Sequence, residues 1–102
     1  MMKNSVFDSL QNWYYSQCDG DWEHEFGIKI DTLDNPGWNV VINLQNTELE
    51  NKVFHDIDQQ MSENDWIQCE VKDGKYNGAG GPKNLTEIIE IFINWTNSNN
   101  KN

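Results

Sequence analysis

The sequence predicts an α+β fold in which an N-terminal and a C-terminal helix pack on one face of an antiparallel sheet of three to four strands. Three observations lead to this prediction. Apolar residues recur at helical spacing near both ends of the chain, the middle alternates with a period of two, and the connections between predicted strands are short. Short connections favour antiparallel pairing, because a parallel crossover needs about a dozen residues or more. The expected architecture therefore has two layers.

The first helix is predicted over residues 5–17, where Val6, Leu10 and a following aromatic residue have spacings of three and four. Ser5 is the expected N-cap, and Asp8 lies three residues later, where a carboxylate favours the helix dipole. Three consecutive aromatic residues, at positions 13–15, are too apolar to be wholly exposed. At least two of their rings are therefore expected to cover the sheet.

A β-hairpin is predicted between Cys18 and Leu44. Its first arm alternates apolar with mostly charged residues over positions 22–32, and its second arm alternates over positions 38–44. A turn over residues 33–37 brings the apolar side chains of both arms to one face, and a slip of one residue would move an arm to the wrong face. The predicted register pairs Thr32 with Trp38, Ile30 with Val40, Ile28 with Ile42, and Phe26 with Leu44.

The remaining strands are predicted from weaker alternation, a third over residues 52–59 and a fourth over residues 66–72. The Asp-Gly pair at residues 73–74 is a turn signal, after which residues 75–76 are expected to return briefly as an edge. The glycine-rich segment 77–82 is interpreted as a structural turn, because its spacing fits neither a phosphate-binding nor a dinucleotide-binding loop.

The second helix is predicted over residues 85–95, whose apolar residues form a broad face that must be buried against the sheet. Asn84 is its expected N-cap. Glu87 occupies the third helical position, and the two residues together resemble a capping box.

The chain is strongly acidic, with 17 acidic and seven basic residues among 102 and a formal net charge of −10. Such a field repels nucleic acid and anionic lipid, so neither is an expected partner. The N-terminus contains no continuous apolar run, which predicts no signal peptide or membrane span and a cytoplasmic location. The length predicts a single domain over residues 1–102, with an ordered core at about 5–96 and a frayed tail at 97–102.

No metal site or cofactor is expected. Cys18 and Cys69 are far apart and outside any paired motif, which favours two reduced thiols. A zinc site would need them to converge with His24 and His55 without any characteristic spacing. The acidic residues before the hairpin lack both the turn glycine and the final glutamate of a calcium loop.

The first arm of the hairpin begins with an acidic segment, which we define as residues 19–25. Its charged residues are either an ordinary solvated face or a docking strip for a basic partner, with Trp22 as a rigid anchor. His24 shares the parity of the core residues and is the best single candidate for proton transfer. A histidine so placed is more often hydrogen-bonded at the edge of the core, and no catalytic residue is predicted.

Several sequence blocks between Leu10 and Trp95 form a distinctive pattern. They are the runs LQNWYYSQCDGDWEHEFGIKIDTLDNPGW and DGKYNGAGGPKNL, with Thr47-Glu48-Leu49 between them and Phe92 and Trp95 after them. In these blocks the chain resembles the immunity protein 53 family of bacterial polymorphic-toxin systems. The resemblance implies a small cytoplasmic protein that binds a cognate toxin domain and blocks it, and it brings no known catalytic residues.

Contact with such a toxin is expected from the acidic segment and from the hairpin turn. Negative charge would speed capture of a basic, nuclease-type toxin, while a tryptophan anchors the complex and the turn adds polar contacts. The expected partner-binding residues are Asp19, Asp21, Trp22, Glu23, His24, Glu25, Asp34, Asn35 and Trp38. A monomer is the expected oligomeric state.

Two other function classes stay open at this stage. A small enzyme, or a module that binds a cation or another ligand, would use His24 and the neighbouring carboxylates. A structural adaptor would instead pair through an exposed strand edge.

Overall fold

The computed structural model describes residues 5–98, which form a five-stranded antiparallel sheet with a helical layer on one side. The α+β class is confirmed, although the sheet has five strands where three to four were predicted. The strand order is β1-β2-β5-β4-β3. In chain order the elements are α1 (Val6–Gln17), α2 (Trp22–Glu25), β1 (Ile28–Leu33), β2 (Gly37–Asn43), β3 (Ile57–Ser62), β4 (Asp65–Lys72), β5 (Lys75–Gly80) and α3 (Leu85–Asn97).

The hairpin of β1 and β2 forms in the predicted register. Three of the four predicted pairs are present, namely Ile28 with Ile42, Ile30 with Val40, and Thr32 with Trp38. The fourth pair is absent because Phe26 lies before β1, at the C-terminal end of α2. The apolar parity of the two arms therefore determined the register wherever both arms are strands.

Residues 22–25 of the acidic segment are helical and residues 19–21 form a bend, so the prediction of a strand over positions 22–25 was wrong. The Asp19 carboxylate accepts hydrogen bonds from the backbone N–H groups of Asp21 and Trp22, both at 2.9 Å. Glu23 folds back to accept from the N–H groups of Asp19 and Gly20. These local bonds stabilise a helical turn over Trp22–Glu25, and they override the period-2 pattern.

Strand β5 is the central strand of the sheet, whereas the sequence suggested a brief edge followed by a glycine-rich turn. It pairs with β2 on one side and β4 on the other. Its glycines face α3, and a Cβ built on Gly78 would lie 2.5 Å from Cγ2 of Ile88. Glycine is normally depleted in strands, but here it allows the helix to approach the sheet closely.

Strand β3 begins later than predicted, at Ile57 instead of residue 52. The preceding segment is held against the end of α3. Lys52 donates through Nζ to the carbonyl oxygens of Trp95 and Ser98, each at 2.8 Å, and the Phe54 ring packs edge-on against Trp95. These contacts keep the segment out of the sheet.

The N-terminal helix has the predicted capping box, in which Ser5 Oγ accepts from the Asp8 N–H and the Asp8 carboxylate accepts from the Ser5 N–H. The prediction for its three aromatic residues was wrong. Only Trp13 is buried, while Tyr14 and Tyr15 are 37% and 79% exposed. Helical geometry directs consecutive side chains about 100° apart, so one helix face cannot bury all three.

The start of α3 differs from the predicted capping box. Asn84 is buried, but its side chain does not cap the helix. Its Oδ1 accepts from the Gly81 N–H at 3.1 Å, and its Nδ2 donates to the carboxylates of Asp65 and Glu87. The residue therefore joins β4, the loop after β5 and α3. Helix α3 extends to Asn97, and positions 99–102 of the predicted frayed tail lie outside the described residues.

The core is built on aromatic rings between α3 and the sheet. Phe92 contacts Trp13 of α1 at 5.0 Å between ring centroids and Tyr76 of β5 at 5.2 Å. The buried Tyr76 hydroxyl donates to the Ile88 carbonyl at 2.7 Å and lies 3.2 Å from Cys69 Sγ. Burial raises the pKa of both Tyr76 and Cys69. Both cysteines are free thiols, as predicted.

Tyr76→Phe is expected to destabilise the fold by about 1–2 kcal/mol, because it removes the buried hydroxyl that bonds to α3. Urea denaturation followed by far-UV circular dichroism measures this change. Tyr15→Phe is the matched control, because that hydroxyl is on a largely exposed side chain, and its effect should stay within about 0.5 kcal/mol. Equal effects of the two substitutions would contradict the assigned role of the Tyr76 hydroxyl.

Candidate functional site

The nine residues expected to bind a partner do not form one cluster. The acidic segment precedes β1, whereas Asp34 and Asn35 follow it in the hairpin turn. Strand β1 has six residues, so these two groups are about 20 Å apart at a rise of about 3.3 Å per residue. The structure thus divides the predicted set between opposite ends of the hairpin.

Two carboxylates of the acidic segment are occupied by backbone hydrogen bonds. The N–H groups of Trp22 and then Asp21 lower the pKa of Asp19. The pKa of Glu23 is lowered first by its own backbone N–H and then by those of Asp19 and Gly20. Both groups are therefore negative at neutral pH, but part of their accepting capacity is already used.

Other members of the acidic segment are available to a partner. Asp21 and Glu25 are exposed, and within residues 5–98 their carboxylates accept no hydrogen bond. His24 is also exposed, at the end of α2, so the prediction that it lies on the core face was wrong. These three side chains form the accessible part of the segment.

The two tryptophans proposed as anchors are engaged within the chain. Trp22 is only 4% exposed, and its Nε1 donates to the carbonyl of Gln45 at 2.9 Å. Its ring packs edge-on against Trp13. Trp38 is half-buried, and its Nε1 donates to the Pro82 carbonyl at 3.0 Å. Trp22 is thus a core residue, and only part of the Trp38 ring remains accessible.

A polar concavity covers the side of the sheet opposite α3, and we call this side the open face. Residues of one parity on β2, β4 and β5 are buried, and residues of the other parity lie on the open face. Strand pairing places one row across all five strands. It runs Asp31, Asn39, Ala79, Gln68 and Asp58. The small side chain of Ala79 lies near the centre of a concavity of about 370 Å³.

The open face offers hydrogen-bonding groups that the chain does not use. In the described part of the chain, the amides of Asn39 and Gln68 make no side-chain hydrogen bond, and Asn77 makes only a 3.3 Å contact with the Lys75 carbonyl. Asp56, Asp58 and Glu70 line the same concavity. Such an arrangement of amides and carboxylates suits binding of a polar, basic surface.

The charges on the open face are separated along the strands. Lys72 and Lys75 pair at the end of the strands beside the β4–β5 turn. The carboxylates of Asp58 and Glu70 lie further along the strands from this turn. Lys29 and Lys75 line a second depression of about 230 Å³. The open face therefore has an acidic part and a basic part.

Sequence reasoning anticipated a solvent-exposed sheet face, and the alternation of β2 and β4 placed Asn39, Gln68 and Glu70 on it correctly, but it wrongly added the acidic segment. The acidic segment does not belong to it, because that segment is helical. Asn77 and Ala79 of β5 were missed because the segment 77–82 was interpreted as a turn. One signal could have identified them, since polar Asn77 and small Ala79 alternate with Tyr76 and Gly78.

A metal ion would need several ligating side chains close together in the described part of the chain. Within it, no three histidine, cysteine, aspartate or glutamate side chains are close enough together to hold a metal ion. Likewise, none of the helices described here has the length and apolar character needed to cross a membrane.

Asp19→Asn is expected to lower the free energy of unfolding at neutral pH and to have a smaller effect in acid. The asparagine can still accept hydrogen bonds, so the substitution removes mainly the charge. Because the folded-state pKa of Asp19 lies below its ordinary 3.8, the stabilisation is present above pH 3.8 and is lost as the pH falls through the lowered value. Urea denaturation at neutral pH and in acid measures the change in the free energy of unfolding under each condition.

Asp34→Asn is the matched control for this experiment. That carboxylate lies in the exposed hairpin turn and accepts no hydrogen bond within residues 5–98. If Asp19→Asn lowered the free energy of unfolding equally at neutral pH and in acid, the negative charge of Asp19 would not be what stabilises the α2 turn.

One of three comparisons with known proteins agrees with the resemblance found in the sequence. A search of curated proteins found no match, and a search of solved structures found none. A family model described as immunity protein 53 matches residues 7–97, which is most of the 102-residue chain and includes every strand of the sheet. The chain therefore belongs to the immunity protein 53 family.

Proposed function

We propose that this chain neutralises a cognate polymorphic-toxin domain by binding it and blocking it, acting as one domain in the cytoplasm and without catalysing a reaction. Membership of an immunity protein family supports a toxin as the partner. The observation that carries the proposal is the open face, where unused amides and carboxylates surround a concavity on a rigid sheet.

The centre of the proposed interface is the row through Asn39, Ala79 and Gln68. Their strands are held on both sides by neighbouring strands, so binding would need little ordering of the backbone. A small residue at the centre leaves room for a protruding side chain of the toxin. The surrounding amides can both donate and accept hydrogen bonds, which favours a polar contact with defined geometry.

The charge of the chain supports a basic toxin, such as one of nuclease type. A net charge of −10 gives long-range attraction to a positive partner and accelerates association. In our proposal Asp56, Asp58 and Glu70 contact the toxin directly. The exposed residues of the two hairpin ends contribute at the periphery, and they are Asp21, His24, Glu25, Asp34 and Asn35.

Ala79→Arg is expected to weaken toxin binding by at least about 30-fold, the magnitude typical of a central interface position. The larger side chain would fill the concavity and place positive charge against a basic partner. Isothermal titration with the cognate toxin domain measures this effect.

Thr86→Arg is the matched control, because it adds the same charge at an exposed position on α3, in the other layer of the fold. The Thr86→Arg variant should bind the toxin with the affinity of the wild type. If Ala79→Arg bound the toxin as tightly as the wild type does, the open face would not be the interface.

The double variant Asp21→Asn/Glu25→Gln is expected to slow toxin association several-fold at low salt and to have little effect at high salt, since screening shortens the reach of surface charge. Stopped-flow association rates measure this. Glu63→Gln/Glu90→Gln removes the same net charge from two other exposed positions. Equal slowing by both double variants would assign steering to total charge instead of to the acidic segment.

A further inference from the structure

The two outer strands of the sheet differ in how well their free edges are protected. Strand β3 contains a register irregularity between Gln60 and Ser62, which bends an edge and discourages pairing. Strand β1 pairs with β2 in an unbroken register along its whole length and contains neither proline nor glycine. Its outer edge is therefore a regular template for another strand.

The backbone groups at this edge belong to alternate residues. The Asn43 N–H donates to the Gly27 carbonyl at 3.0 Å, so position 27 directs its polar groups toward β2. In an antiparallel pair this direction alternates, and residues 29, 31 and 33 also face β2. The N–H and C=O groups of Ile28, Ile30 and Thr32 consequently point outward, away from the sheet.

An apolar groove lies at the start of this edge, on the helical side of the sheet. A cavity of about 320 Å³ is lined by Leu10, Gln11, Tyr14, Gly27 and Ile28. Ile30 and Tyr14 are each 37% exposed, and Phe7 is 39% exposed on the same face of α1. Several large apolar side chains thus remain partly in water beside unpaired backbone groups.

We propose that a second copy of the chain pairs with this edge, so that two β1 strands meet antiparallel about a two-fold axis. Outward-facing residues must pair with outward-facing residues, which allows only registers that join even-numbered positions. Three such registers overlap well. They centre on position 29, position 30 or position 31.

The charges of β1 select one of these three registers. Centring on position 29 places Lys29 opposite itself, and centring on position 31 places Asp31 opposite itself, so both bring like charges together. Centring on Ile30 places Lys29 opposite the Asp31 of the second copy, twice by symmetry. Opposite charges then meet in the closer, non-hydrogen-bonded pairs, where cross-strand side chains interact most strongly.

The selected register also matches the other groups at the edge. Ile30 meets its own copy on the axis, Ile28 lies opposite Thr32, and each of these pairs exchanges backbone hydrogen bonds. Each apolar groove, at Gly27 and Ile28, then lies beside the Thr32 end of β1 in the other copy, on the helical side. A symmetric, self-complementary contact of this kind closes on itself as a dimer. This oligomeric state differs from the monomer expected from the sequence, and it does not depend on the toxin proposal.

Sedimentation velocity of the full chain, from low to high micromolar concentration, tests the proposal. The wild type should approach twice the monomer mass of 11.9 kDa. Lys29→Asp and Asp31→Lys should each remain monomeric, because each substitution brings like charges together. The double variant Lys29→Asp/Asp31→Lys should dimerise again, because it restores opposite charges in the reversed order.

Lys72→Asp is the matched control, since it makes the same charge change on β4, away from the β1 edge, and it should dimerise like the wild type. Circular dichroism of every variant confirms that it is folded. A wild type that is monomeric at all concentrations would overturn the proposal. So would a dimer that persists in the folded single variants, or one that the double variant fails to restore.

Discussion

The close contact between α3 and β5 is the constraint on which the rest of the structure depends. Gly78 and Gly80 present no side chains to the helix, and a Cβ on either would lie within 3.0 Å of Ile88. Ile88 and Phe92 of α3 can therefore pack directly against the central strand, where both contact Tyr76. Tight packing of this kind excludes water from the core and stabilises the fold, but it requires small residues at the contact.

The same strand also determines the surface on the other side. Asn77 and Ala79, which alternate with the glycines, point to the open face, because side chains alternate along a strand. Strand β5 thus allows close packing of the helix on one side and lines the centre of a polar concavity on the other. With the helical layer on one side of the sheet, the opposite side stays uncovered within residues 5–98.

Sequence reasoning succeeded where a pattern had a single physical interpretation. The parity of the hairpin arms determined the β1–β2 register, and Ser5 with Asp8 determined the start of α1. It failed where a local or tertiary contact outweighed the pattern. The Asp19 carboxylate accepts from the backbone at the start of a helical turn that alternation alone cannot reveal, and α3 packs on glycines that otherwise indicate a turn.

The environment of the predicted partner-binding residues could likewise be predicted only in part. The exposure of Asp21, Glu25 and the hairpin turn follows from their polarity, and it was predicted. Trp22 was open to two interpretations, a core residue or an anchor, and its hydrogen bond to the carbonyl of Gln45, 23 positions away in the chain, could not be deduced. The amides of the open face come together only through the strand order, which places β5 between β2 and β4.

Four of the five tryptophans direct their indole N–H toward irregular parts of the chain. Three of the acceptors, Gln45, Glu48 and Val53, belong to the long connection between β2 and β3. Their donors come from α2, α1 and α3 respectively, so one connection is attached to every helix. Release of any helix would loosen this connection and, through it, the other two. Unfolding is therefore cooperative across the helical layer, with little room for a partly folded state.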